Sequence, residues 1–332
     1  MKIALSIFLT FMIFKVSFSQ SLNYKINGTV KGFQNNSSIF LSDLSGGTYV
    51  KIDSMKVQGE KFQFRGKLKN KVTQFAIHTK DYTDRVSFWV ENTPLVIVAE
   101  KGKFREAVIN GSRTQNDAVR FNKILDKGEE KTAATKQFIK DNPTSMISAV
   151  QLGFLKNEIS KESLSELFKA LSPAVKKSIY GKKVSDYLLL SRNPQIGDKY
   201  IDFEEHTSRG KTVKLSEYNG KIILLDFWGT WCAPCIEELP NLVENYKEFN
   251  HWGFEILGVA ADTKMEAVKR VEDKFGITWT NVSDLKGDQN KSAIIYGVTY
   301  YPTNFLIDRN GIIIGRDLTG DELKNKLIEL LK

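Results

Sequence analysis

Leu225-Asp226-Phe227-Trp228-Gly229-Thr230-Trp231-Cys232-Ala233-Pro234-Cys235 is the stretch on which the reading of this chain turns. An apolar run of strand character, Lys221 to Trp228, ends in a short loop, and a helical pattern begins at about Pro234 and runs to Phe249. Cys232 therefore stands where a helix starts. A thiol there faces unpaired backbone amides and the positive end of the helix dipole, which stabilise its thiolate and lower its pKa. Pro234 suits the first turn, where a missing N–H is no loss. Three residues on is close to one helical turn, so Cys235 stacks beneath Cys232 and can close a disulfide with it. On this reading the outer thiol, Cys232, attacks and the deeper Cys235 resolves.

Two other readings of the pair are weaker. A zinc site needs two more ligands at matching spacing, and the candidates His206 and His251 stand alone in the sequence. A purely structural disulfide across so short a loop adds little stability. The chain holds 2 Cys in all, so the pair is kept for chemistry and the fold must rest on apolar cores. A peroxidatic site is also disfavoured, because it needs a Pro seven residues before its Cys and position 225 is Leu.

Beyond the motif, Phe254–Ala260 reads as a second buried strand and Lys264–Phe275 as a helix. Thr303–Ile307 and Gly311–Gly315 suit an antiparallel hairpin turning at Asp308-Arg309-Asn310-Gly311, and Asp321–Leu331 a closing helix. That order is α/β with a mixed central sheet. Arg192-Asn193-Pro194-Gln195-Ile196-Gly197 marks the boundary before it. Residues 113–192 have helical periodicity, with Ala118, Phe121, Ile124 and Leu125 on one face, and Leu164, Leu167, Phe168 and Leu171 on another. They read as a helical connector, with Thr144 or Ser145 as a cap after Pro143. Residues 21–112 show short alternating runs separated by Gly, Asn and Asp clusters, as in an antiparallel β-sandwich or barrel-like domain. His78 there reads as a structural residue.

The first residues look like an export signal. Lys2 supplies a positive start, Ile3–Phe14 an apolar core, and Ser17-Phe18-Ser19 a small-x-small cleavage site. The core is shorter than the roughly 20 residues a spanning helix needs, so residues 1–19 read as a cleaved signal peptide, with an uncleaved anchor as the alternative. The formal charge is +9, and loss of Lys2 and Lys15 on cleavage would leave +7. The cations are scattered without a dense patch, so nucleic acid is not an expected partner.

The motifs Trp228 to Cys235, Glu238-Leu239-Pro240, Tyr296-Gly297-Val298 through Pro302-Thr303, and Phe305-Leu306-Ile307-Asp308 together resemble a thioredoxin-fold domain of the ResA/TlpA type, within the AhpC/TSA and redoxin superfamily. The resemblance covers about residues 193–332. The β-rich segment similarly resembles a domain of unknown function that precedes such modules, on Ile52-Asp53-Ser54 and Gly59-Glu60-Lys61-Phe62. The resemblance implies a thiol–disulfide oxidoreductase of the periplasm. Its redox-active Cys232–Cys235 pair replaces any bound cofactor or metal, and it acts on disulfides of exported proteins such as apocytochrome. A membrane thiol relay would be its electron donor. It implies that Pro302 follows a cis peptide opposite the dithiol and presents the preceding backbone to a substrate chain, that Asp226 assists proton transfer from the resolving thiol, and that Glu238 tunes the cysteines. Trp231, Tyr301 and Pro302 are the expected substrate contacts. Tyr301 departs from the Ile, Thr or Val common at that position, which bears on partner choice. A disulfide oxidase or isomerase, and a partner-binding module with secondary redox activity, stay open as rival functions.

Overall fold

The computed structural model describes residues 22–46, 49–126, 128 and 130–332. The expected signal peptide, and Gly47, Thr48, Lys127 and Glu129, lie outside the described residues.

The first region consists of β1 (Asn23–Lys31), β2 (Ser38–Asp43), β3 (Val50–Lys56), β4 (Lys61–Lys67), β5 (Thr73–His78), β6 (Arg85–Val90), β7 (Pro94–Glu100) and β8 (Val108–Asn110). They form two four-stranded sheets, β4-β1-β7-β8 and β3-β2-β5-β6. Alternation along β1 turns Tyr24, Ile26 and Val30 inward. Phe62 and Phe64 of β4, Phe75 and Ile77 of β5, and Leu95 and Ile97 of β7 meet them in one core between the sheets. Each large side chain buried there contributes about 1.5–3 kcal/mol. The pairing is antiparallel except between β1 and β7, which run parallel. His78 is buried, and both ring nitrogens are engaged: Nε2 with Ser42 Oγ at 2.9 Å and Nδ1 with the Thr79 carbonyl at 2.7 Å.

Next come the helices α1 (Arg113–Leu125), α2 (Lys131–Asp141), α3 (Met146–Leu155), α4 (Lys161–Ala170), α5 (Pro173–Lys176) and α6 (Ile179–Leu190). Serines start most of them. Ser112, Ser145, Ser160, Ser172 and Ser178 each accept a backbone N–H of the first turn, satisfying an otherwise orphaned donor. Between the two caps the sequence offered after Pro143, Ser145 is the one used. Phe121, Phe138 and Ile147 pack on Val72 and Trp89 of the sandwich, so the helices are seated on it.

The last region holds β9 (Glu204–Thr207), β10 (Thr212–Lys214), β11 (Ile222–Trp228), α7 (Ala233–Phe249), β12 (Phe254–Ala260), α8 (Met265–Phe275), β13 (Thr280–Ser283), α9 (Lys291–Ile295), β14 (Thr303–Ile307), β15 (Ile313–Arg316) and α10 (Gly320–Leu331). Seven strands form one mixed sheet, β10-β9-β13-β12-β11-β14-β15, in a thioredoxin-like fold. Every residue of β11 is buried, as a strand covered on both faces must be. Leu239, Leu242 and Phe249 of α7 cover one face with α10, and Ala293 and Tyr296 cover the other. The hairpin between β14 and β15 turns as its sequence requires. Gly311 takes φ +84°, and Asp308 Oδ1 accepts the N–H groups of Asn310 and Ile312. Leu190 packs against this core, and the N–H groups of Arg192 and Asn193 both reach the Ile295 carbonyl at 2.9 and 3.1 Å.

Candidate active site

β11 delivers the chain to the end of the sheet, and α7 takes it away. Between them Cys232 is the N-cap of α7, its sulfur accepting the Cys235 N–H at 3.3 Å. Pro234 sits in the first turn. The two cysteines are joined in a disulfide with Cα atoms 5.3 Å apart, so the structure is that of the oxidised protein. Cys232 is 5% exposed and Cys235 3%. The sequence reading of an outer and an inner thiol therefore holds only weakly in this form. Trp228, Ala260 and Val268 bury the pair, and Tyr301 and Met265 pack against that cluster.

The loop is held by residues the sequence reading did not single out. Asp262, buried just past β12, accepts the Thr230 N–H at 3.0 Å and its hydroxyl at 2.6 Å. The Trp231 indole donates to the Ala261 carbonyl at 2.9 Å. Gly229 leaves the space that indole occupies, since a Cβ there would lie 2.8 Å from its ring. The signal for Asp262 was available. It follows a parallel strand beside β11, and the ends of such strands carry the loops of a site. Trp231 remains 51% exposed, a broad aromatic surface beside the disulfide.

Pro302 follows a cis peptide bond with Tyr301, as expected. Trp231 and Tyr301 meet edge to face with ring centres 5.3 Å apart, so these two expected contact residues stand together. Burial raises the Tyr301 phenol, and the carboxylates of Asp288, Glu205, Asp284 and Asp262 add to the effect. It stays protonated at neutral pH.

Asp226 is buried on β11, opposite Asn304 of β14 and Gly258 of β12. Burial, and then the charge of Glu238, push its carboxyl up to about 7. A carboxyl near neutrality can hold or release a proton at working pH. Glu238 lies one helical turn beyond Cys235. Its Oε1 accepts the Gly320 N–H at 2.8 Å and its Oε2 the Asn241 amide at 3.0 Å. It thus caps α10, whose own N-cap Thr319 makes no side-chain bond, while acting electrostatically on Asp226. The resemblance implied a role towards the cysteines; the cap on α10 and the effect on Asp226 were not foreseen. Glu237 is exposed.

His206 pairs with Thr212 and His251 packs on Trp252. Among the described residues no cluster of three or more His, Cys, Asp or Glu is placed to hold a metal, and no helix is long and apolar enough to cross a membrane.

Residues 196–316 match the AhpC/TSA family, and residues 24–118 match a domain of unknown function, DUF4369. The thiol-disulfide oxidoreductase ResA of Bacillus thuringiensis subsp. konkukian is 34% identical over 146 residues, which are 44% of this chain and 82% of that protein. The ResA of Geobacillus thermodenitrificans is 38% identical over 135 residues, 40% of this chain and 76% of that one. Among solved structures, a thiol-disulfide oxidoreductase from Bacteroides fragilis is similar at 31% identity with a TM-score of 0.39, over 40% of this chain and 100% of that one.

Proposed function

The chain belongs to the ResA-type thiol–disulfide oxidoreductases, and we propose that it serves in the periplasm as a reductant of disulfides in exported proteins. The observation that carries this reading is the Cys232–Cys235 disulfide at the start of α7, which follows β11 with its buried Asp226. In the reduced protein the Cys232 thiolate attacks one sulfur of a client disulfide, and the other client sulfur leaves as a thiolate. Cys235 then gives up its proton, with Asp226 as the acceptor, and attacks the Cys232 sulfur. The client leaves with both sulfurs reduced, and two electrons have passed from enzyme to client. The protein is left as the disulfide seen here, to be re-reduced by a thiol relay in the membrane. The dithiol is the whole redox apparatus of this scheme.

The acids favour the reducing direction. An oxidant of this chemistry is one whose reduced, thiolate form is stabilised. A carboxylate placed near a thiol has the opposite effect, because an anion beside a thiolate raises its energy. The export-signal pattern of residues 1–19 supports the compartment, and apocytochrome disulfides belong to the client class that the ResA resemblance implies.

Variants of the two cysteines test the scheme. Cys232→Ser should abolish reduction of insulin, whereas Cys235→Ser should accumulate mixed disulfides through Cys232, read by mass spectrometry. If Cys235 proves the more readily alkylated thiol of the reduced protein at neutral pH, the order of attack is wrong.

A further inference from the structure

A cleft of about 370 Å³ opens where the sandwich, the helices and the C-terminal sheet meet, at the lower end of the roughly 300–1,000 Å³ typical of binding pockets. Its walls are shared: Trp89 from β6, Phe154, Lys156 and Tyr187 from the helical region, Val298 and Tyr301 from the C-terminal region. Tyr301 also packs on the cluster that holds Cys232 and Cys235. Tyr301 is thus shared by the cleft and the surroundings of the disulfide.

The charges in the cleft do not balance. Asp288 is taken by Lys183, with 2.9 Å between Oδ2 and Nζ. Lys156 has no ion-pair partner among the described residues. Its ammonium lies over the Tyr187 ring, 5.6 Å from the centre. Burial lowers its pKa and the charge of Lys183 adds to that, while Asp288 opposes both. A carboxylate arriving beside Lys156 would supply the missing partner through a charge-assisted hydrogen bond. The rim is apolar in the wrong place for an empty cleft. Phe154, on the face of α3 turned to it, is 66% exposed, an aromatic left in water.

We infer that this cleft is the docking site for the client polypeptide beside its disulfide, and that it selects segments carrying an acidic residue and an apolar residue within a few positions of the cysteine. The acid pairs with Lys156, and the apolar side chain lies between Trp89, Phe154 and Val298. This inference rests on the reductase reading above and names its substrate class. It also gives the N-terminal regions a part in the reaction, since Trp89 and Lys156 both lie outside the C-terminal region.

The test uses the full chain in its reduced form and three disulfides. One is a peptide closed by a single disulfide with Asp and Phe beside its cysteines, the second has Lys in place of that Asp, and the third is neutral 2-hydroxyethyl disulfide. The expected preference for the Asp peptide over the Lys peptide is about tenfold in kcat/KM, near 1.4 kcal/mol. Lys156→Gln should reduce that preference to less than about threefold, and Phe154→Ala, at an exposed position, should slow both peptides about threefold. Both variants should leave 2-hydroxyethyl disulfide within about twofold of the unaltered protein. No preference in the unaltered protein, or an equal loss on all three disulfides in Lys156→Gln, overturns the docking site. Should no disulfide be reduced at all, the reductase reading falls, and calorimetry with the Asp peptide carrying Ser for Cys decides the cleft separately. Weakening of that binding by about tenfold in Lys156→Gln sustains the site, and unchanged binding removes it.

Discussion

Asp226 is a residue whose ionisation the fold alters within the proposed site. Burial together with the charge of Glu238 holds the Asp226 carboxyl at about 7 instead of its ordinary 3.8. A group that binds its proton more tightly when folded adds stability in full below pH ~3.8, and that contribution is lost as pH rises through about 7. At about 1.4 kcal/mol for each pH unit between those values, the ceiling on the loss is about 4 kcal/mol. Asp226→Asn should therefore make the oxidised protein more stable than the unaltered chain at pH 8, with the advantage vanishing towards pH 4. Urea unfolding at a series of pH values measures this. Equal stability at pH 8 would mean that the carboxyl is ordinary. On the proposed scheme, in which Asp226 accepts the proton of Cys235, the same variant should slow release of mixed disulfides. At this scale the sequence was informative where a motif fixes position: the cysteines stand at the start of α7, where the change from strand to helix puts them, and Pro302 follows the cis peptide that the resemblance implied. It was silent on burial. Glu205 sits in the sheet 3% exposed, satisfied by Ser292 and Asn290 at its carboxylate, and nothing in Glu204-Glu205-His206 marks which acid turns inward.

At the scale of elements, the site is made by β11 running between β12 and β14 and passing its chain to α7. Long apolar runs such as Ile222–Trp228 are legible because burial on both faces needs an unbroken apolar sequence. Short polar elements are not. β9 and β13 are four residues each, and polar side chains dominate both, so no period stands out. Their pairing with each other and with β12 extends the sheet. The packing of β12 on β11 depends on a residue with no side chain. A Cβ on Gly258 would fall 1.9 Å from Asn281 Oδ1 and 3.0 Å from Trp228 Nε1, where that indole donates to Asn281 at 3.0 Å. Gly258→Ala must displace this bond, and overpacking of this kind costs about 1–3 kcal/mol. The denaturation midpoint should fall accordingly, and since Trp228 leads directly into the loop, disulfide reduction should slow with it. An unchanged midpoint would show that the indole is free to move.

Taken whole, the molecule sets a redox site beside a surface built by other parts of the chain. We propose that Arg192-Asn193-Pro194 is a domain boundary and that the chemistry resides in residues 193–332. A fragment beginning at Asn193, checked for folding by circular dichroism, should reduce 2-hydroxyethyl disulfide within about threefold of the full chain, a small step on a log-rate scale. It should lose the preference for an acidic, apolar client, because Trp89 and Lys156 are gone. A folded fragment that is slower by more than about tenfold would mean that the N-terminal regions complete the site. The three-part organisation is legible from changes of period along the sequence. The cleft is not, because its walls come from positions as far apart as Trp89 and Tyr301 and only the packing of the parts brings them together. The central claim, that Asp226 and Glu238 make the pair a reductant, is tested most directly by its redox potential. The full chain is equilibrated in dithiothreitol and glutathione buffers, and the oxidised fraction of Cys232–Cys235 is read by alkylation and mass. The expected value lies near the about −270 mV of thioredoxin, and a value near the about −120 mV of DsbA would contradict the account.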